Sequence, residues 1–199
     1  MKRSLLIAAA SLLCLSQAAL AGDASGAYLG AGFSTNRMTS SCADSYFSSS
    51  CNDPSNGPKD SGHLRLVGGY NFDKHFGIEG GYSDLGTYRV KNSAGAPVGE
   101  FKATAITLAL RGGNTFSNGF SIFGKLGIAS VRTEYKVLPS WTLAGSANQR
   151  STGVVGGVAG QYDINETVGF RVSLEAIQFT DSEFENLTGG IGLMAVFKL

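Results

Sequence analysis

With 2 histidines among 199 residues, any imidazole-based chemistry rests on His63 or His75. His63 follows a Ser61-Gly62 step, the kind of neighbourhood in which a serine nucleophile and its base could sit. Such a pair must be within hydrogen-bond reach, yet the same-face position two residues on holds Arg65 rather than a serine. His75 belongs to the turn-type tripeptide Asp73-Lys74-His75. Lipase or acyltransferase chemistry is therefore not expected, and no catalytic residue is assigned. Two histidines and a pair of cysteines form no metal-ligand cluster of recognisable spacing, so neither metal nor cofactor is expected. Asp44, Asp53 and Asp60 in one polar stretch, and Asp181, Glu183 and Glu185 in another, read as solvated loop charge. Asn165-Glu-Thr and Asn186-Leu-Thr match a glycosylation pattern that carries little weight in a bacterial exported chain. What remains is a set of charges inside otherwise apolar, alternating segments: Arg65, Glu79, Arg111, Lys125, Arg171 and Glu175.

Those charges sit on strands. Alternation of period two, cut by turn-type clusters, recurs through the chain. Eight such segments run approximately over Ala27–Asn36, His63–Phe72, Phe76–Tyr88, Phe101–Asn114, Phe120–Tyr135, Thr152–Tyr162, Val168–Phe179 and Thr188–Leu199. Connections alternate in length. Asp73 to His75, Thr115 to Gly119 and Asp163 to Thr167 are short. Met38 to Gly62, Gly86 to Glu100 and Lys136 to Ser151 are long and rich in Ser, Gly, Asn and Pro, and Thr180 to Leu187 is intermediate. Short turns at one end and long loops at the other are the asymmetry of a bacterial outer-membrane barrel, and an even strand count places both termini with the short turns.

The N-terminus indicates export. Lys2 and Arg3 precede an apolar run from Leu5 to Leu15, and Ala19-Leu20-Ala21 offers a small-x-small cleavage pattern, so residues 1–21 read as a signal peptide and 22–199 as the barrel domain. The apolar run is shorter than the roughly 20 residues a spanning helix needs. Cys14, preceded by Leu13, reads as part of that signal and not as an acylated residue. Cys42 and Cys51 are an even pair in an exported chain and are expected to form a disulfide in the first long loop, contributing about 2–3 kcal/mol. Without Lys2 and Arg3, the 16 basic and 15 acidic residues become 14 against 15, a net charge of −1; nothing in this balance calls for nucleic acid.

The chemistry of the two faces decides the solvent. Leu64, Leu66, Gly68, Tyr70 and Phe72 share one face of the second segment, opposed by His63, Arg65 and Asn71. Ile106, Leu108 and Leu110 oppose Thr107 and Arg111. Val168, Phe170, Val172 and Leu174 oppose Arg171, Ser173 and Glu175. A soluble barrel would also alternate, but here the charged face is interleaved with Gly, Ser and Thr, as a crowded interior requires. The apolar faces end in aromatics: Phe72, Phe76, Phe116, Phe120, Tyr162 and Phe197 at one end, Tyr88, Phe101, Tyr135 and Phe179 at the other. Aromatic rings favour membrane–water interfaces. The fold class expected is all-β: an eight-stranded antiparallel up-and-down transmembrane barrel, whose lumen side chains just fill. Arg65, Glu79, Arg111, Lys125, Arg171 and Glu175 then point inward. Glu79, Arg111, Lys125 and Arg171 lie three to five residues up their strands, at similar depth. Buried charges must be paired or hydrogen-bonded, so an internal charge network is expected, either a fixed plug or a gate.

The stretch Gly68-Gly69-Tyr70-Asn71-Phe72-Asp73-Lys74-His75-Phe76-Gly77-Ile78-Glu79-Gly80-Gly81-Tyr82-Ser83-Asp84-Leu85-Gly86 resembles the second hairpin of OmpA-like transmembrane domains, as does Phe123-Gly124-Lys125-Leu126-Gly127 in the fifth strand. The resemblance implies an eight-stranded barrel with a charged internal plug in the outer membrane of a Gram-negative bacterium. OmpA itself continues into a peptidoglycan-binding domain; with Leu199 as the last residue, cell-wall tethering is not carried over. Barrels of this type end in Phe, whereas here Phe197 stands two residues before the end. Related small barrels include adhesion and serum-resistance proteins whose function lies in their loops. The leading expectation is accordingly a monomeric barrel with a structural or surface-interaction role, in adhesion or envelope integrity. Its expected partners are outer-membrane lipids and lipopolysaccharide, the barrel insertion machinery, and a host or surface ligand met by the loops. The alternatives are a narrow gated channel for ions or small solutes, and a soluble periplasmic ligand-binding barrel.

Overall fold

A computed structural model of the chain describes residues 25–40, 62–91, 97–137, 146–180 and 186–199. The proposed signal peptide, Cys42 and Cys51, and the acidic residues of the first and last loops lie outside them.

Eight strands follow one another: β1 Gly26–Ser40, β2 His63–Asn71, β3 Phe76–Lys91, β4 Pro97–Thr115, β5 Phe120–Val137, β6 Ser146–Asp163, β7 Val168–Phe179 and β8 Asn186–Lys198. Each pairs antiparallel with its sequence neighbours, and β1 pairs with β8 from Tyr28↔Lys198 to Ser40↔Asn186, closing the barrel. Closure leaves no sheet edge, so no row of amides faces hydrocarbon unpaired. No helix among the described residues is long and apolar enough to cross a membrane; the crossing elements are strands.

The expected centres of all eight strands agree with the structure, but several outer ends run further. β4 starts at Pro97 and β6 at Ser146, both inside stretches expected to be loop. There Pro97-Val98-Gly99 and the polar run Ser146 to Arg150 carry no apolar–polar alternation, while the backbone ladder continues: Gly99 still pairs with Val137, and Lys136 with Ser146. The pairing of β3 with β4 slips twice, between Val90 and Lys91 and between Asp84 and Gly86. Gly86 has φ +103° there, and an added Cβ would lie 2.7 Å from the His63 ring. Glycine is needed at this point for both reasons.

At the end that carries the termini, each two-strand connection is closed by a side-chain oxygen, the behaviour that makes Asn and Asp turn residues. Asp73 Oδ1 accepts the amides of His75 (2.6 Å) and Phe76 (2.7 Å). Asn118 Oδ1 accepts that of Phe120 at 3.1 Å. Asn165 Oδ1 accepts those of Thr167 (2.9 Å) and Val168 (2.8 Å). The first of the two glycosylation-like matches thus supplies a turn acceptor. The His75 and Phe76 amides hold the Asp73 carboxyl below its ordinary pKa. A carboxylate depressed in the folded state stabilises above its unfolded pKa of about 4 and loses that contribution as pH falls through the folded value. Asp73→Ala should therefore lower the urea midpoint at neutral pH, with the difference from wild type shrinking as pH is taken below 4. A gap independent of pH would show that the carboxylate's charge is not what caps the turn.

The two faces divide as expected. Ile106, Leu110, Leu126, Ile128, Phe33 and Phe76 point outward and are each more than 60% exposed, an apolar surface no water-soluble barrel presents. On β5 this surface runs from Phe120 to Ser130, about ten steps of 3.3 Å, which at a tilt near 40° covers roughly 25 Å, the height of an outer-membrane apolar band. Phe72, Phe76, Phe116, Tyr162 and Phe197 form the expected aromatic ring at the short-turn end. Phe179 departs from expectation. It packs against buried lumen residues and does not face lipid, because its odd position on β7 shares parity with Arg171 and Ile177. The side chains of Tyr88, Phe101 and Tyr135 lie outside the description.

Candidate functional site

The lumen contains two layers. Toward the long-loop end it is filled by small and branched apolar side chains: Leu85, Ala103, Ala129, Val131, Val155 and Ile177, each at most 6% exposed. This layer was not foreseen. An inward alanine between outward Ile and Leu does not break an apolar run, so it gives no alternation signal.

Below it lies a belt of charges contributed by β2, β3, β4, β5 and β7. Glu79 (β3) stands 3.0 Å from Lys125 Nζ (β5) and 2.5 Å from Arg171 Nη1 (β7). Lys125 reaches on to Glu175 at 2.5 Å. Glu175 in turn accepts from Arg65 Nη2 on β2. Five of the six residues singled out in the sequence are thus linked in one chain, Arg65–Glu175–Lys125–Glu79–Arg171. The sixth, Arg111, stands apart. It has no carboxylate within 4 Å among the described residues. It donates instead to Asn71 Oδ1 at 2.9 Å and lays its guanidinium over the Phe123 ring, 3.7 Å from the centroid.

Three further groups complete the belt and carried no sequence signal, because nothing in a strand's alternation marks which inward residue meets which across a closed barrel. The Tyr28 hydroxyl donates to Glu79 Oε2 at 2.7 Å. Gln161 Oε1 accepts from Arg171 Nε and Nη2 at 3.0 and 2.9 Å. Phe123 offers its ring face to both Arg111 and Arg171. The belt proper sets four cations, Arg65, Arg111, Lys125 and Arg171, against two carboxylates, Glu79 and Glu175. The surplus is held partly on aromatic faces, which attract cations within about 6 Å. Glu79 and Arg171 are 3% and 2% exposed, so these charges meet one another and not bulk water.

At the short-turn end the lumen opens into a vestibule of about 240 Å³ whose walls include Asn71, Arg111, Gln161 and Lys198. Lys198 Nζ pairs there with Asp163 Oδ2 at 2.5 Å. His75 is exposed in its turn, its Nδ1 3.1 Å from the Gly113 carbonyl oxygen. His63 is 6% exposed inside the barrel, on the polar face that its odd position on β2 shares with Arg65. Its Nε2 has no hydrogen-bond partner among the described residues, and Ser34, its register partner on β1, accepts instead from Asn36 Nδ2 at 3.3 Å. No group of three His, Cys, Asp or Glu among the described residues is disposed to hold a metal.

An eight-stranded barrel, closed, apolar outside and ion-paired within, is a transmembrane barrel. The chain belongs to the outer membrane protein beta-barrel domain family, whose model matches residues 6–197. Its place is the outer membrane of a Gram-negative bacterium. No curated protein matches it by sequence. Among solved structures it is similar to the outer membrane protein OprG from Pseudomonas aeruginosa, at 16% identity and a TM-score of 0.63, over 89% of this chain and 98% of that one. It is similar also to Neisserial surface protein A, at 15% identity and a TM-score of 0.61, covering 90% and 100% of the two chains. The attachment invasion locus protein of Yersinia pestis shares the fold at 17% identity and a TM-score of 0.55, over 87% and 99%. At these identities the likeness is one of fold. With the exposed apolar belt, it excludes the soluble periplasmic alternative.

Proposed function

We propose that this barrel is a closed, non-catalytic scaffold that serves envelope integrity and surface interaction through what it presents outside the membrane. The observation that carries this reading is the double closure of the lumen. The ion-paired belt of Glu79, Lys125, Arg171, Glu175 and Arg65 is overlain by the apolar layer around Leu85, Val131 and Val155. An ion entering from the periplasmic vestibule would have to break buried pairs and then cross an apolar constriction, and each step is costly. The long outer ends of β4, β5 and β6 carry the ladder past the apolar band.

The test is conductance of the refolded protein in planar bilayers. Both wild type and Glu79→Ala with Lys125→Ala should stay at background, because the double substitution loosens only one of the two layers. Discrete openings in wild type would overturn the scaffold reading in favour of a channel. Openings confined to the double variant would make the belt a gate. In cells lacking the protein, the detergent sensitivity that wild type relieves should not be relieved by a barrel whose outer loops are trimmed to short turns.

A further inference from the structure

The outward face changes character abruptly across β4, β5 and β6. Register places Leu110, Leu126 and Gly156 in one cross-strand row, then Leu108, Ile128 and Val154, then Ile106, Ser130 and Thr152. The next row outward is Thr104, Arg132 and Arg150, followed by Lys102, Glu134 and Asn148. Residues of one strand that are two apart share a face, so Arg132 follows from lipid-facing Ile128, and Arg150 from lipid-facing Val154. Lys102, Arg132 and Arg150 are all exposed.

Arg132 and Arg150 are direct register partners. Directly opposed residues bring their Cβ atoms to about 5 Å, and like charges so placed repel. Of the flanking carboxylates, Glu134 lies 3.3 Å from Arg132, and Asp84 lies 3.5 Å from Lys102. Arg150 has no carboxylate partner among the described residues. A repulsive pair is therefore set roughly 5 Å above the hydroxyl row that ends the apolar band, two residues further along tilted strands. That is the level of the lipid headgroups. Two guanidinium forks at this spacing can share one phosphate, which takes bidentate hydrogen bonds from arginine.

We propose that Arg132 and Arg150, with Lys102 beside them, form a phosphate-binding site on the outer wall of the barrel that takes the headgroup phosphate of a lipopolysaccharide molecule in the outer leaflet. Its acyl chains lie along Ile106, Ile128 and Val154 immediately below. The inference rests on the membrane orientation of the barrel and not on the role of its loops, so the conductance result does not bear on it.

The test compares urea midpoints of wild type and Arg132→Gln with Arg150→Gln in phosphatidylcholine vesicles, with and without added lipopolysaccharide. Heat-modifiable gel mobility reports folding of both proteins. Lipopolysaccharide should raise the wild-type midpoint, and the variant should need about tenfold more of it for half the effect, since it loses charge-assisted hydrogen bonds. Without lipopolysaccharide the variant should be at least as stable as wild type, because the repulsion is gone. Lipopolysaccharide stripped of its phosphates should give no increment, and inorganic phosphate at matched ionic strength should give none. A variant that keeps the full response, or a dephosphorylated lipid that works equally well, would overturn the site. Full stabilisation by inorganic phosphate alone would overturn the lipid as its occupant. If the double variant fails to fold, Arg150→Gln alone carries the same comparison.

Discussion

Replacing Glu79 with alanine should lower the unfolding free energy of the refolded barrel by about 3–5 kcal/mol, the cost of stripping one partner from a buried ion pair. The size of the loss follows from position. Glu79 is 3% exposed and receives Lys125, Arg171 and the Tyr28 hydroxyl together. Its removal leaves Arg171 with no carboxylate partner, Lys125 with Glu175 alone, and the Tyr28 hydroxyl without its acceptor. Glu79→Gln, which keeps an acceptor without the charge, should lose less. Combining Glu79→Ala with Lys125→Met and Arg171→Met should recover much of the loss, since well-packed apolar groups substitute for buried pairs at little or no cost. The measurement is a urea titration in phosphatidylcholine vesicles. A loss below about 1 kcal/mol, the range of exposed pairs, would mean that the belt is hydrated and that the lumen is not closed by it.

The second large effect concerns the outward face of β5, the strand that carries Lys125 inward. Leu126 is adjacent to Lys125 but points outward, 66% exposed, midway along the apolar span of β5. Leu126→Arg should cost about 2–4 kcal/mol, the value for a cation on the lipid face near the midplane. Insertion into vesicles should slow in parallel. One position earlier the chain carries a cation with ease, because Glu79 and Glu175 meet it. Unchanged stability of Leu126→Arg would contradict the membrane-facing assignment of this surface. Arg at position 126 is thus a more direct probe of orientation than any truncation.

These two neighbours also show how much was legible in the sequence. Alternation assigned Lys125 inward and Leu126 outward because a period of two leaves no other choice once one face is apolar. For the same reason it assigned inward positions to all six charges. It did not foresee that Arg111 would leave the ion-pair chain for the Phe123 ring and Asn71, because that depends on which strands face each other across the lumen. Phe179 was misplaced at the rim for a related reason: near the outer end of β7, parity continued inward where composition indicated a surface. The turns were easier, since Asp73, Asn118 and Asn165 close their hairpins through contacts two or three residues away.

The belt also has a meaning for how the barrel forms. Its ion pairs run between β2 and β7, β3 and β5, β5 and β7, and β3 and β7, so none of them joins the two strands of a single hairpin. Tyr28, which completes it, lies on the strand whose partner across the seam holds Lys198. Hairpins form early because their contacts are close in sequence, whereas the β1–β8 seam joins the two ends of the chain and must form late. Until that seam is made, Glu79, Lys125 and Arg171 lie on an open sheet with no common interior. A half-closed sheet in the membrane would therefore carry its charges unmatched, and the final zipping of β1 to β8 is the step that neutralises them. The charge belt makes the last strand pairing the committing one, so that assembly is all-or-none.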